Sequence, residues 1–176
     1  MLRAVLLATL ALLLLPAVAG AYVIGELGGL NSHTNGIALG PDGNFWVTEA
    51  GASTVARIAP GGQVLGRFPV GSEPTSVAVG NDGAVWVAGT GSDTLYKIEG
   101  ATTATPTVDA FPTAGESSCG PVGIVAGGNG RMYFSLPDSG SCGGDPDRIG
   151  SVADDGSGMT SVTGRGRAFD LTVSGT

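Results

Sequence analysis

The feature that most constrains this chain is a repeat. Four segments align without gaps around a short strand: Asn35-Gly36-Ile37-Ala38-Leu39, Thr75-Ser76-Val77-Ala78-Val79, Val122-Gly123-Ile124-Val125-Ala126 and Phe169-Asp170-Leu171-Thr172-Val173. The first three continue into a turn and a second strand: Pro41-Asp42-Gly43-Asn44-Phe45-Trp46-Val47, Asn81-Asp82-Gly83-Ala84-Val85-Trp86-Val87 and Asn129-Gly130-Arg131-Met132-Tyr133-Phe134. A period of roughly 40 to 47 residues in an all-strand pattern is that of a propeller blade. Such a unit cannot bury its apolar face alone, and rings of about four to eight blades solve the problem by stacking.

Each of the first three units also carries a third and a fourth strand. They are Thr54-Val55-Ala56-Arg57-Ile58 and Val64-Leu65-Gly66-Arg67-Phe68, then Thr94-Leu95-Tyr96-Lys97-Ile98 and Thr107-Val108-Asp109-Ala110-Phe111, then Arg148-Ile149-Gly150-Ser151-Val152 and Met159-Thr160-Ser161-Val162. Apolar and polar residues alternate along them, as in half-buried strands. Asp42-Gly43, Asp82-Gly83 and Asn129-Gly130 are hairpin turn signals, because glycine tolerates positive φ without steric cost. The expected fold is all-β: a propeller of four-stranded antiparallel blades spanning about 36–68, 76–111 and 123–162. Orphan strands flank them, an outer strand at 22–27 and a first strand at 169–173. Three blades do not close a ring, so further blades or self-association are expected to complete it.

Residues 1–19 stand outside the repeat. Met1-Leu2-Arg3 is a short basic stretch, Ala4 to Leu15 is apolar, and Pro16-Ala17-Val18-Ala19 supplies small residues in an A-x-A pattern. This predicts a secretory signal peptide cleaved after Ala19, and hence a secreted or periplasmic protein. The apolar run is too short for a membrane span. The chain carries 8 Lys and Arg against 15 Asp and Glu. That acidic balance argues against nucleic acid or an anionic membrane surface as partner, since both require a basic footprint. A small molecule or a peptide remains.

The two cysteines, Cys119 and Cys142, are expected to pair in an oxidising compartment. Their disulfide would tie the long third-unit loop, which contains Asp138, Asp145 and Asp147, back to the segment entering that unit's first strand. Clustered carboxylates suit calcium, but this loop lacks an EF-hand spacing, and no metal site is assigned. Trp46, Trp86 and Tyr133 share one repeat position and are expected to pack between blades. Two residues are candidates for the channel face or for binding. Glu49 ends the second strand of the first unit, where Gly89 and Leu136 stand in the others; it reads either as a solvated loop carboxylate or as a ligand at the channel mouth. His33, the single histidine, precedes the first strand and reads either as an exposed loop residue or as a general base. No serine-nucleophile elbow, phosphate loop or zincin motif is present.

The first unit has a further likeness. Asn35-Gly36-Ile37-Ala38-Leu39-Gly40-Pro41-Asp42-Gly43-Asn44-Phe45-Trp46-Val47-Thr48-Glu49, with Val55-Ala56-Arg57-Ile58 and Gly66-Arg67-Phe68-Pro69, resembles a blade of the virginiamycin B lyases, the streptogramin lyases. The second and third units match more loosely. The resemblance implies a seven-bladed ring and Mg²⁺-assisted elimination that linearises a cyclic depsipeptide antibiotic at an ester bond. It implies that Glu49, in a Trp-x-Thr-Glu ending, lines the upper face. The catalytic His and Glu residues lie late in the family's chain, so the catalytic residues of this chain stay unassigned. Two other readings stand beside this one: a non-catalytic secreted propeller that binds a peptide, glycan or protein, and a sugar-lactone hydrolase holding Ca²⁺ in the channel.

Overall fold

The structure is a computed structural model that describes residues 29–31, 33–113, 120–137, 147–164 and 171–172. Three four-stranded sheets follow one another along the chain. The first contains β1 (Thr34–Leu39), β2 (Phe45–Glu49), β3 (Thr54–Ile58) and β4 (Val64–Pro69); the second contains β5 (Pro74–Val79), β6 (Val85–Gly89), β7 (Thr94–Glu99) and β8 (Thr107–Pro112). The third contains β9 (Ile124–Ala126), β10 (Arg131–Leu136), β11 (Arg148–Ala153) and β12 (Thr160–Thr163). In every sheet the spatial order is the chain order and neighbours are antiparallel. Each repeat is therefore one meander.

Most strands run a residue or two beyond the pattern, and β2 carries its ladder to Glu49. The exception is β9, which starts at Ile124 because Gly123 N–H donates to the Ser135 Oγ (2.9 Å). The same substitution interrupts β1, whose register shifts between Thr34 and Ile37. There Gly36 N–H donates to the Thr48 hydroxyl at 2.7 Å, so a side chain satisfies the group that the bulge removes from the ladder. The expected outer strand at 22–27 lies outside the described residues. Of 169–173, Leu171 and Thr172 are described and belong to no strand, and the rest lie outside.

The turns form as the Asp-Gly pairs predict. Gly43 N–H donates to the Gly40 carbonyl (3.1 Å), Gly83 repeats this with Gly80 (3.0 Å), and both glycines have positive φ, 75° and 80°. The turn aspartates also anchor a cation from the third strand. Asp42 pairs with Arg57 at 2.5 Å and Asp82 with Lys97 at 3.0 Å. Each cation lies 5.8 Å from the centre of the tryptophan ring of its own blade, Trp46 or Trp86, close enough for a cation–π attraction.

The apolar core lies between blades. Trp46 and Val55 of the first sheet pack with Val77, Val85, Val87 and Ile98 of the second. Trp86 and Leu95 of the second pack with Ile124, Met132, Phe134, Leu136 and Val152 of the third. Both tryptophans also meet a phenylalanine of their own fourth strand, Phe68 at 5.2 Å and Phe111 at 5.4 Å. Tyr133 differs: it is half-buried, and its hydroxyl accepts from Asn129 Nδ2 at 2.9 Å.

The first strands of successive blades run side by side at the inner edge. Gly36 makes room for this, since a Cβ there would stand 3.0 Å from Ser76 Cα and from the Thr75 carbonyl. Side chains bridge the next pair. Thr75 Oγ1 donates to the Val122 carbonyl (2.9 Å), and Ile124 N–H donates to the Ser76 Oγ (3.3 Å). Replacing Gly36 by Ala pushes a methyl against backbone that cannot rotate away, so we expect a loss of about 2 kcal/mol by urea denaturation. Gly61→Ala, where nothing lies within 4 Å, is the matched control and should stay within about 0.5 kcal/mol of the parent.

Candidate functional site

The second strand of each of the first two blades ends in a short 3-10 turn, Ala50–Ala52 and Thr90–Ser92. The residue entering the first strand closes over it. The His33 carbonyl accepts from Ala50 N–H at 2.9 Å, and the Glu73 carbonyl accepts from Thr90 N–H at 3.0 Å. This bond fixes both residues in the left-handed region, with φ 61° at His33 and 51° at Glu73. Gly120 at the same repeat position of the third blade is not left-handed; a Cβ there would run into the Thr90 carbonyl.

His33 and Glu73 flank an open cleft of about 400 Å³ between the first two blades, with Asn35, Ala50, Gly51 and Thr75. Both ionisable side chains are exposed. Thr75 is committed to structure, its hydroxyl sharing a hydrogen bond with Thr90 Oγ1 (2.8 Å). The cleft thus offers an imidazole, a carboxylate and a primary amide around a floor that glycine and alanine keep shallow. Sequence reasoning singled out His33 and passed over Glu73. The signal was there: the two are the same repeat position, one blade apart.

Glu49 is placed differently from either sequence reading. Its side chain is fully buried, so it is not a solvated loop carboxylate, and among the described residues its partners lie in the first blade and the segment entering it. Arg67 Nε donates to it at 2.9 Å, Thr54 Oγ1 at 2.7 Å and Asn31 N–H at 2.7 Å, with Asn31 Nδ2 at 3.2 Å. Burial pushes the carboxyl pKa up, but the bonds from Arg67, Asn31 and Thr54 outweigh it and hold the group at about 2, below its ordinary 4.5. Glu49 is an anchor for the fourth strand and for the entry segment. Gly89 and Leu136 at its repeat positions need no such anchor: Leu136 enters the apolar seam, and Gly89 stands too close to Tyr96 and Ser92 for a side chain.

A second cleft of about 390 Å³ opens beside the Asp82-Gly83 turn and is lined by Pro41, Asp82, Glu99 and Thr102 among others. Its carboxylates already have a partner. Lys97 Nζ lies 3.0 Å from Asp82 and 2.6 Å from Glu99; burial lowers the lysine pKa, and these two carboxylates more than restore it.

Among the described residues no three or more His, Cys, Asp or Glu side chains converge to hold a metal ion. Magnesium favours an octahedral set of oxygens. The first cleft supplies one carboxylate, Glu73, and an imidazole that suits softer metals. These residues do not fit a magnesium site. Asp138, Asp145, Cys119 and Cys142 lie outside the described residues, so the calcium and disulfide readings are not addressed there.

Comparison with known proteins gives three results. A sequence profile described as the virginiamycin B lyase family matches residues 19–163. No curated protein matches the sequence. Among solved structures, virginiamycin B lyase from Staphylococcus aureus is similar with a TM-score of 0.61 and 24% identity, over 74% of this chain and 41% of that one. A catalytically inactive variant of that lyase with quinupristin gives the same figures. A gluconolactonase from Xanthomonas campestris is similar with a TM-score of 0.56 and 16% identity, over 76% of this chain and 48% of that one. The chain spans less than half the length of these structures, and the likeness establishes the propeller fold.

Three expectations follow from this geometry. The depressed pKa of Glu49 contributes stability that is complete above its unfolded value of about 4.5 and is lost as pH falls toward 2. The urea midpoint should therefore drop across that window, and Glu49→Gln should flatten the drop. Arg67→Met, which strands the buried carboxylate, should cost about 3 kcal/mol at neutral pH. Glycine at 33 or 73 should raise stability by up to about 1 kcal/mol by thermal denaturation, because the left-handed backbone strains any side chain with a Cβ.

Proposed function

The chain belongs to the virginiamycin B lyase family, and from that premise we propose that its blades form the ligand-binding sector of an exported, lyase-type propeller that takes a cyclic depsipeptide of the streptogramin B class. The observation that carries the reading is the cleft between the first two blades, where His33 and Glu73 occupy one repeat position and both side chains reach solvent. Glycine would hold that backbone with less strain. A strained residue with a functional side chain at a cleft is a mark of a site.

The cleft suits a peptide-like ligand for simple reasons. Asn35 offers both a donor and acceptors for backbone amide groups. Glu73 accepts hydrogen bonds and favours a cationic or amide-bearing edge. Gly51 lets a ring approach the turn closely. An opening of about 400 Å³ lies within the range of small-molecule sites and holds part of a macrocycle rather than all of it. Family elimination chemistry removes a proton beside a carbonyl with magnesium present. No step is assigned to that ion here, since this cleft does not fit it. What these residues contribute is binding and orientation, with His33 as the chain's one imidazole able to accept a proton.

A second reading, a propeller that binds without turning over, differs only in outcome. The deciding experiment incubates the protein with a type B streptogramin, with and without Mg²⁺, measuring binding by calorimetry and products by mass spectrometry. We expect saturable binding, weakened about tenfold by Glu73→Gly or His33→Gly in variants that remain folded. Ring-opened product identifies a lyase, and binding without product identifies a receptor. Absence of binding overturns both readings.

A further inference from the structure

We propose that the cleft between the first two blades selects its ligand by two adjacent hydrogen-bond donors, hydroxyl or amide N–H, which take the place of a threonine pair that the next seam carries and this one lacks. The inference rests on the reading of that cleft as a ligand site and deepens it. Ala50 and Asn35 become its specificity-determining positions. The second seam shows what the donors do. Thr90 Oγ1 donates to the Pro121 carbonyl at 2.7 Å, and Thr75 Oγ1 donates to the Val122 carbonyl at 2.9 Å. The two hydroxyl oxygens lie 2.8 Å apart. Together they clamp the entry segment of the third blade onto the second, and Gly120 in that segment has no room for a Cβ against the Thr90 carbonyl.

Strand register carries the comparison to the first seam. Ile37 pairs with Val47, Val77 with Val87, and Ile124 with Phe134. Asn35, Thr75 and Val122 therefore hold one repeat position, and the 3-10 turns place Ala50 where the second blade has Thr90. Pro74 and Thr75 of the second blade correspond to Pro121 and Val122 of the third. Ala50 has no hydroxyl to offer. Among the described residues no side chain donates to the Pro74 or Thr75 carbonyl. The Thr75 carbonyl still faces the first blade, since it would lie 3.0 Å from a Cβ on Gly36. In place of the clamp stands the cleft of about 400 Å³, lined by Ala50, Asn35 and Thr75 among others.

Pro74 is buried and Thr75 half-buried, and a carbonyl withdrawn from water is costly without a donor. A ligand that supplies two donors gains in the first seam what Thr90 and Thr75 supply in the second. Neighbouring hydroxyls of a sugar ring, or a hydroxyl beside an amide N–H, present two donors at the spacing of the threonine pair. Ester oxygens and N-alkylated amides carry no such hydrogen. His33 and Glu73, exposed at the rim, are left to orient the rest of the ligand.

Rebuilding the clamp tests the inference. Ala50→Thr combined with Asn35→Thr supplies both hydroxyls at positions where the second blade already has threonine. The melting temperature should rise by about 2 to 4 °C above both the parent and the Ala50→Val, Asn35→Val pair, which fills similar volume and donates nothing. Calorimetry reads the ligand side with two probes, a type B streptogramin and methyl glucoside. Each is compared with a counterpart whose hydroxyl and amide hydrogens are replaced by methyl groups. We expect the parent to bind at least one unmethylated probe, methylation to weaken that binding at least about tenfold, and the rebuilt clamp to weaken it as much. Binding of the sugar alone fails the depsipeptide reading and leaves the donor pair standing. Streptogramin binding that is indifferent to methylation or to the rebuilt clamp keeps that reading and overturns the inference. Binding of neither probe overturns it too, as does a threonine pair no more stable than the parent.

Discussion

The structure depends on the seam between successive sheets. A single four-stranded meander has two faces and almost no interior, so each sheet must be covered by its neighbours. Trp46 and Val55 do this for the second blade, and Trp86 and Leu95 do it for the third. Because the seam is apolar and repeated, its energy is that of side-chain burial, roughly 2 to 3 kcal/mol for each large residue. At the inner edge a glycine and short hydroxyl side chains keep the first strands close. Gly36 admits the approach, and Thr75 and Ser76 bond across the next one.

Buried charge in this fold serves the same end. Asp42 with Arg57 and Asp82 with Lys97 pin a turn to the third strand and lay a cation beside the seam tryptophan. Glu49 does the corresponding work at the other end of β2, drawing in Arg67, Thr54 and Asn31. Such groups are costly to desolvate and are retained only when fully bonded. Asp42 and Glu49 are thereby consumed within the blade. Glu73 is the carboxylate at the first cleft that the blade leaves open.

The candidate site arises where the repeat tolerates variation. The backbone at the entry to the first strand turns left-handed to close over the 3-10 turn in the first two blades. The side chain is free to differ: histidine and glutamate stand there in turn. Local strain and a solvent-facing side chain coincide at a cleft between blades, which is where a propeller can bind a ligand without disturbing its seams.

Much of this was legible before any coordinates. Strand order, blade boundaries and the packing role of Trp46 and Trp86 follow from the period and from alternation, because a meander joins neighbours in sequence and each face must be covered. His33 was visible as the single imidazole, and Glu73 was recoverable from its shared repeat position. The environment of Glu49 was not, since its partners Asn31 and Arg67 lie 18 residues away on either side and no local pattern states that they meet. Nor could spacing show which apolar residues remain uncovered. The repeat by itself determined the blade; the tertiary arrangement decided which charges the blade consumes and which side chains reach the cleft, because burial depends on neighbours that are distant along the chain.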